Sequence, residues 1–113
     1  MGDYITLFIG LGMFGVGAVL DYRSSIEMTR YGIKETNWFV QKKNGNFDPI
    51  KGLVFVILPI VLVLIAFFVE WNDDTYDRFW AGFFLMPGGV LHYWAHRKNL
   101  GKIEKAKSAR YGI

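Results

Sequence analysis

Three apolar runs separated by polar segments set the pattern of this chain. YITLFIGLGMFGVGAVL (4–20) and GLVFVILPIVLVLIAFFV (52–69) carry no charge. FWAGFFLMPGGVLHYWA (79–95) carries one histidine, His92, and no Asp, Glu, Lys or Arg. A helix of about 18 apolar residues reaches across a bilayer core of about 30 Å. The middle run shows no polar face in any turn, which a core helix of a water-soluble domain would show. The pattern predicts an all-α integral membrane protein with three transmembrane helices. Spans are expected at about 4–28, 50–70 and 78–96, with a basic tail at 97–113, in a single domain of 113 residues.

The first helix is expected to outrun its apolar part. DYRSSIEMTRYGIKE is polar but holds no proline and one glycine. Continuation to about Glu35 gives a helix roughly 48 Å long that extends into the cytoplasm. NGNFDP (44–49) reads as a turn, because Asn-Gly supplies positive φ and Asp-Pro disfavours helix before a new start. Pro59 should kink the second span modestly. Pro87-Gly88-Gly89 is a stronger interruption in the third. Lys98 to Arg110 reads as a mobile or surface-lying tail. No internal repeat or low-complexity stretch stands out.

Charge then orients the spans. Twelve Lys and Arg fall in the first connection and the tail, against Arg78 alone in the short 70–78 turn and none before the first span. The positive-inside rule places the N-terminus outside and the C-terminus in the cytoplasm. The outer turn is acidic (Glu70, Asp73, Asp74, Asp77). Trp71, Tyr76 and Trp80 outside, with Trp38, Phe39, Tyr93 and Trp94 inside, fit interfacial belts. A pI near 9.2 follows from this one-sided charge and needs no nucleic acid. Arg97, Lys98, Lys102, Lys105, Lys107 and Arg110 are candidates for an anionic lipid surface. No cysteine is present, which excludes disulfides and thiolate chemistry. No cleavable signal is evident. MGDYIT fits the myristoylation outline, with Asp3 an unfavourable neighbour.

Gly10, Gly12 and Gly15 spell G-x-G-x-x-G, but inside one apolar run rather than between a strand and a helix, so a dinucleotide site is not expected. At about 100° per residue, Gly10 and Gly17 share one side of a helix, with Gly12 and Gly15 nearly opposite. Glycine lets a neighbouring membrane helix approach closely, so two glycine faces imply two neighbours, from the other spans or another subunit.

Candidate chemistry is sparse. Asp21, Ser25, Met28, Gly32 and Glu35 line one helical stripe, with Asn37 just beyond. Asp21 lies close to the apolar run and calls for a partner; Arg23, Lys51, His92 and His96 are candidates. His92 and His96, at i and i+4, can face one metal ion, though no third ligand lies nearby. No nucleophile–base pair or phosphate loop is present. No enzyme, cofactor or small-molecule substrate is expected.

The spacing Asp21-x3-Ser25-x6-Gly32-x2-Glu35-x-Asn37 resembles the first-helix signature of a family of small, uncharacterised prokaryotic membrane proteins, Asp-x3-Thr-x6-Gly-x2-Glu-x-Asn-Pro. Ser25 stands for the threonine and Trp38 for the proline. The resemblance implies architecture and no activity. Size, three spans, orientation and basic tail also resemble the class I holins of phages, and the two resemblances imply a bacterial or phage-associated inner membrane. The expected function is that of a non-enzymatic accessory subunit or homo-oligomer acting through glycine-mediated packing. A holin-like pore-former, or an ion- or proton-binding oligomer centred on Asp21, are the alternatives.

Overall fold

The computed structural model describes residues 2–68 and 75–111, with backbone only for Asp3, residues 75–79 and Tyr111. It is all-helical: α1 (Gly2–Arg30), a short 3-10 helix (Trp38–Val40), α2 (Pro49–Phe68) and α3 (Thr75–Tyr111). The acidic turn Glu70–Asp77 and its aromatic neighbours Trp71 and Tyr76 lie outside the described residues or side chains.

α1 and α3 run parallel and form the main interface; α2 packs more lightly on both. α2 is antiparallel to α1. Tyr22 Oη donates to the Pro49 carbonyl at its start (3.1 Å), and Phe67 near its end meets Tyr4 edge-to-face at 5.2 Å. The molecule is a thin slab of 60 × 28 × 14 Å.

The α1–α3 seam follows a strict seven-residue period. On α1 the inward positions are Leu7, Gly10, Phe14, Gly17, Asp21, Ser24 and Met28. On α3 they are Gly82, Leu85, Gly89, His92, His96, Asn99 and Ile103. All are buried or half-buried. Alternating steps of three and four keep one face turned to a partner along the whole helix, as in supercoiled pairs.

In the apolar half, glycine on one helix lies against glycine on the other, Gly10 at Gly82 and Gly17 at Gly89. A Cβ on Gly82 would sit 2.6 Å from the Leu7 amide nitrogen, and one on Gly89 would sit 2.5 Å from the Met13 carbonyl carbon. A Cβ on Gly10 or Gly17 would overlap the carbonyl oxygens of Gly82 and Gly89. These contacts are backbone to backbone, with no flexible side chain to yield. Gly12 and Gly15 meet nothing within 4 Å, so among the described residues one glycine face is used.

Three expectations are corrected. α1 stops at Arg30 and does not reach Glu35, because Gly32 takes φ +71° in a Schellman cap. The Ile33 amide donates to Met28 O (3.0 Å) and the Gly32 amide to Thr29 O (3.1 Å). Pro87-Gly88-Gly89 does not interrupt α3. Pro87 lies on the exposed side, and the seam holds the helix together before and after it. Lys98–Arg110 is not a loose tail but the last turns of α3, where Asn99 and Ile103 extend the seam.

The 44–49 turn is present and specific. Gly45 takes φ +86°, and Gln41 pairs with Phe47 in a single antiparallel bridge. Asp48 caps α2 through Oδ1, which accepts from the Ile50 amide (3.0 Å) and the Lys51 amide (3.3 Å). Pro49 follows as the first helical residue, where its missing N–H costs nothing.

Among the described residues, two helices are long and apolar enough to cross a membrane, α1 over Tyr4–Arg30 and α2. Only 28% and 17% of their most apolar windows are buried inside the fold. A core helix of a soluble domain would be mostly buried. Phe8, Val16, Ile50 and Phe84 are all exposed, and large apolar surface left uncovered marks a protein or membrane contact. Both features suit a membrane location.

Candidate polar chamber at the end of the apolar seam

Where the seam turns polar, Asp21 collects partners from both helices. His92 Nδ1 lies 2.7 Å from Asp21 Oδ2, an ion pair when the imidazole is doubly protonated and a hydrogen bond from Nδ1–H to the carboxylate when it is neutral. Asn99 Nδ2 donates to Asp21 Oδ1 (3.2 Å), Ser24 Oγ (3.0 Å) and Ser25 Oγ (3.2 Å). Its two N–H groups thus serve three oxygens. Ser24 Oγ donates to the Asp21 carbonyl at 3.0 Å. Polar groups in an apolar setting are costly unless satisfied, and this cluster satisfies itself across the helix–helix interface.

His92 is also fixed by packing. Phe14 meets its ring edge-on at 5.2 Å and Phe55 at 5.8 Å, so one residue of each helix orients it. Of the partners foreseen for Asp21, His92 fills the place. Lys51 donates instead to the Gln41 carbonyl (2.9 Å). His96, one turn on, borders a different groove with Arg23, Glu27 and Arg30, and its Nδ1 is buried without a partner. The two imidazoles are therefore divided between two grooves. Among the described residues no three His, Asp or Glu side chains gather as a metal site.

Glu35 and Asn37 are not on the α1 stripe, since the helix has ended, yet the connection folds them back toward it. The Glu35 amide donates to Gly45 O (2.8 Å), and Gln41 Nε2 donates to the Glu35 carbonyl. Asn37 caps the 3-10 helix by accepting from the Phe39 amide (3.1 Å), while its own amide donates to Glu35 Oε1 (3.1 Å). The result is a chamber of about 160 Å³ bordered by Asp21, Ser25, Glu35, Asn37, His92 and Asn99. Lys98, Lys102 and Trp94 stand on its α3 side, with Lys98 Nζ 3.8 Å from the centre of the Trp94 ring.

Sequence reasoning missed Ser24 and Asn99. The signal was there: Leu85, His92 and Asn99 stand seven apart, in step with the glycines of α3. Searches against family models, curated proteins and solved structures give no match to this chain.

Proposed function

We propose that this chain is a small, non-enzymatic polytopic membrane protein that works by helix association, as an accessory subunit or as a homo-oligomer. The fused α1–α3 pair is its rigid stem, and three spans with the basic end in the cytoplasm are its topology. The observation that carries the reading is the second glycine face. Gly12 and Gly15 point away from the seam with nothing within 4 Å, and exposed Phe8 and Val19 flank them on the same stripe. A notch between two ridges of apolar bulk is the shape a second membrane helix packs into. The basic residues Arg97, Lys98, Lys105, Lys107 and Arg110 stand exposed on a continuous helix. On this reading they present a stiff cationic rod to anionic lipid or to a partner at the cytoplasmic surface.

The absence of cysteine gives a clean test. Gly12→Cys introduces a single thiol at the notch. A homo-oligomer crosslinks there on oxidation in the membrane; an accessory subunit instead copurifies with a stoichiometric partner in mild detergent. In either case Gly12→Leu with Gly15→Leu should abolish the association while the unfolding temperature stays within a few degrees. Persistence of the assembly in the double variant removes the basis of the proposal.

A further inference from the structure

Beside the polar chamber lies a second cavity, of about 470 Å³, between α2 and α3; Asp21, Asn37, Phe55, His92 and Ala95 border both. This second space is an apolar groove. Its walls include Phe14, Pro59, Phe84, Pro87, Gly88 and Leu91. Both prolines inside helices border it, and at Gly88 the missing side chain leaves room that the Phe14 ring partly takes, 3.0 Å from where a Cβ would lie. The light packing of α2 on α3 thus leaves a slot with an apolar length and a polar end.

The polar end is electrostatically balanced. Asp21 and Glu35 face it from α1 and the connection, Lys98 and Lys102 from α3, and His92 is held by Asp21. Glu35 is 8% exposed, and while Oε1 accepts from the Asn37 amide, Oε2 is buried with no partner. A buried carboxylate oxygen without a donor is costly. Of the carboxylate oxygens at the chamber, it is the one that lacks a donor altogether. Two lysines nearby would repel a bare cation and receive an anion.

We propose that the slot binds one aminophospholipid from the leaflet at the basic end of the fold. An acyl chain lies in the groove, the Glu35 carboxylate turns to bring Oε2 to the chamber and accepts from the primary ammonium, and the phosphate is received by Lys98 and Lys102. Groove and chamber at the same wall match the two halves of such a molecule, and the mixed charge matches a zwitterion rather than a purely anionic headgroup. This site goes beyond the helix-association reading and does not depend on it.

The test uses the full chain purified in detergent, with bound lipid read by native mass spectrometry and stability read by unfolding temperature. Phosphatidylethanolamine should bind about tenfold more tightly than phosphatidylcholine of the same chains, whose quaternary ammonium has no N–H to donate. Glu35→Gln should erase that preference. Leu91→Trp, which fills the groove at an exposed position, should weaken both lipids alike. Lys98→Gln with Lys102→Gln, at the rim, should weaken phosphatidylethanolamine by about tenfold even if Glu35→Gln does not fold. Equal affinity for the two lipids in the unmodified chain overturns the proposal. So does tighter binding of phosphatidylglycerol, equal stabilisation by free phosphoethanolamine, or Glu35-dependent stabilisation by Mg²⁺ alone. None of these outcomes bears on crosslinking at Gly12, so the two readings stand or fall separately.

Discussion

From Leu7 to Gly17 the α1–α3 seam closes by leaving side chains out; from Asp21 to Asn99 it closes by hydrogen-bonding polar ones. The spacing is the same in both halves, so the contrast isolates chemistry from geometry. In the first half the backbones nearly touch, and the attraction is dispersion between well-fitted surfaces that lipid cannot fill. In the second half Asp21, Ser24, Ser25 and Asn99 occupy the interface, and the chamber lies beside them. The glycine half offers no slack and the polar half offers exchangeable partners. The two should therefore fail differently.

The largest effect is expected where a methyl group must displace backbone. Gly17→Ala and Gly89→Ala each place a Cβ against main-chain atoms of the other helix, and neither helix can yield by rotating a side chain. Each should cost about 3 kcal/mol, the upper part of the usual range for overpacking. The matched change on the outer face, Gly12→Ala, meets nothing and should stay within about 0.5 kcal/mol. Unfolding in a denaturing-detergent titration measures both. A Gly12→Ala cost equal to that of Gly17→Ala would dissolve the distinction between the two faces.

In the polar half, Asn99→Leu removes the donor shared by Asp21, Ser24 and Ser25 and leaves their oxygens to find other partners. A loss of about 2 kcal/mol is expected. Asp21→Asn keeps the shape and one acceptor oxygen and should lose less, near the 0.6 kcal/mol average for hydrogen bonds between membrane helices. The same titration reads both variants. A larger loss for Asp21→Asn than for Gly89→Ala would mean that the polar cluster, not the glycine contact, holds the stem together.

The helices were legible from the three apolar runs, because charge-free stretches of that length leave few alternatives. The glycine contacts were half legible. Spacing separated Gly10 and Gly17 from Gly12 and Gly15, but sequence alone does not say which face finds a partner inside the chain. The seam's period was hidden by composition. When both the lipid face and the packed face are apolar, polarity does not mark the interface, and only small residues seven apart do. Lys98–Arg110 looked like a tail because its charge was counted before its periodicity, and Asn99 and Ile103 were lost with it. Glu35 and Asn37 joined Asp21 on a stripe that is helical only as far as Arg30; they reach the chamber because the connection folds back through the Glu35–Gly45 and Gln41–Glu35 hydrogen bonds.

That last error locates the smallest effect. Tyr31-Gly32-Ile33 carries the signature of a helix end, a glycine just past the last turn with an apolar residue after it, and it decides whether Glu35 lies on a rod or at the chamber. Gly32→Ala leaves ample space, since nothing lies within 4 Å of the new Cβ, but φ +71° disfavours any side chain. A cost of about 1 kcal/mol is expected. Gly45→Ala, at φ +86° in the exposed turn, should cost a similar amount and serves as the comparison. The two should differ in where they act. Gly32→Ala weakens the bonds from Gly32 and Ile33 to Thr29 and Met28, so amide exchange should quicken at Ile33 and through Glu35. Gly45→Ala should quicken exchange at Glu35, which donates to Gly45 O, and leave Ile33 protected. Equal loosening at Ile33 in both variants would mean that the connection folds as one unit with the helix end, and that the cap does not independently set where Glu35 sits.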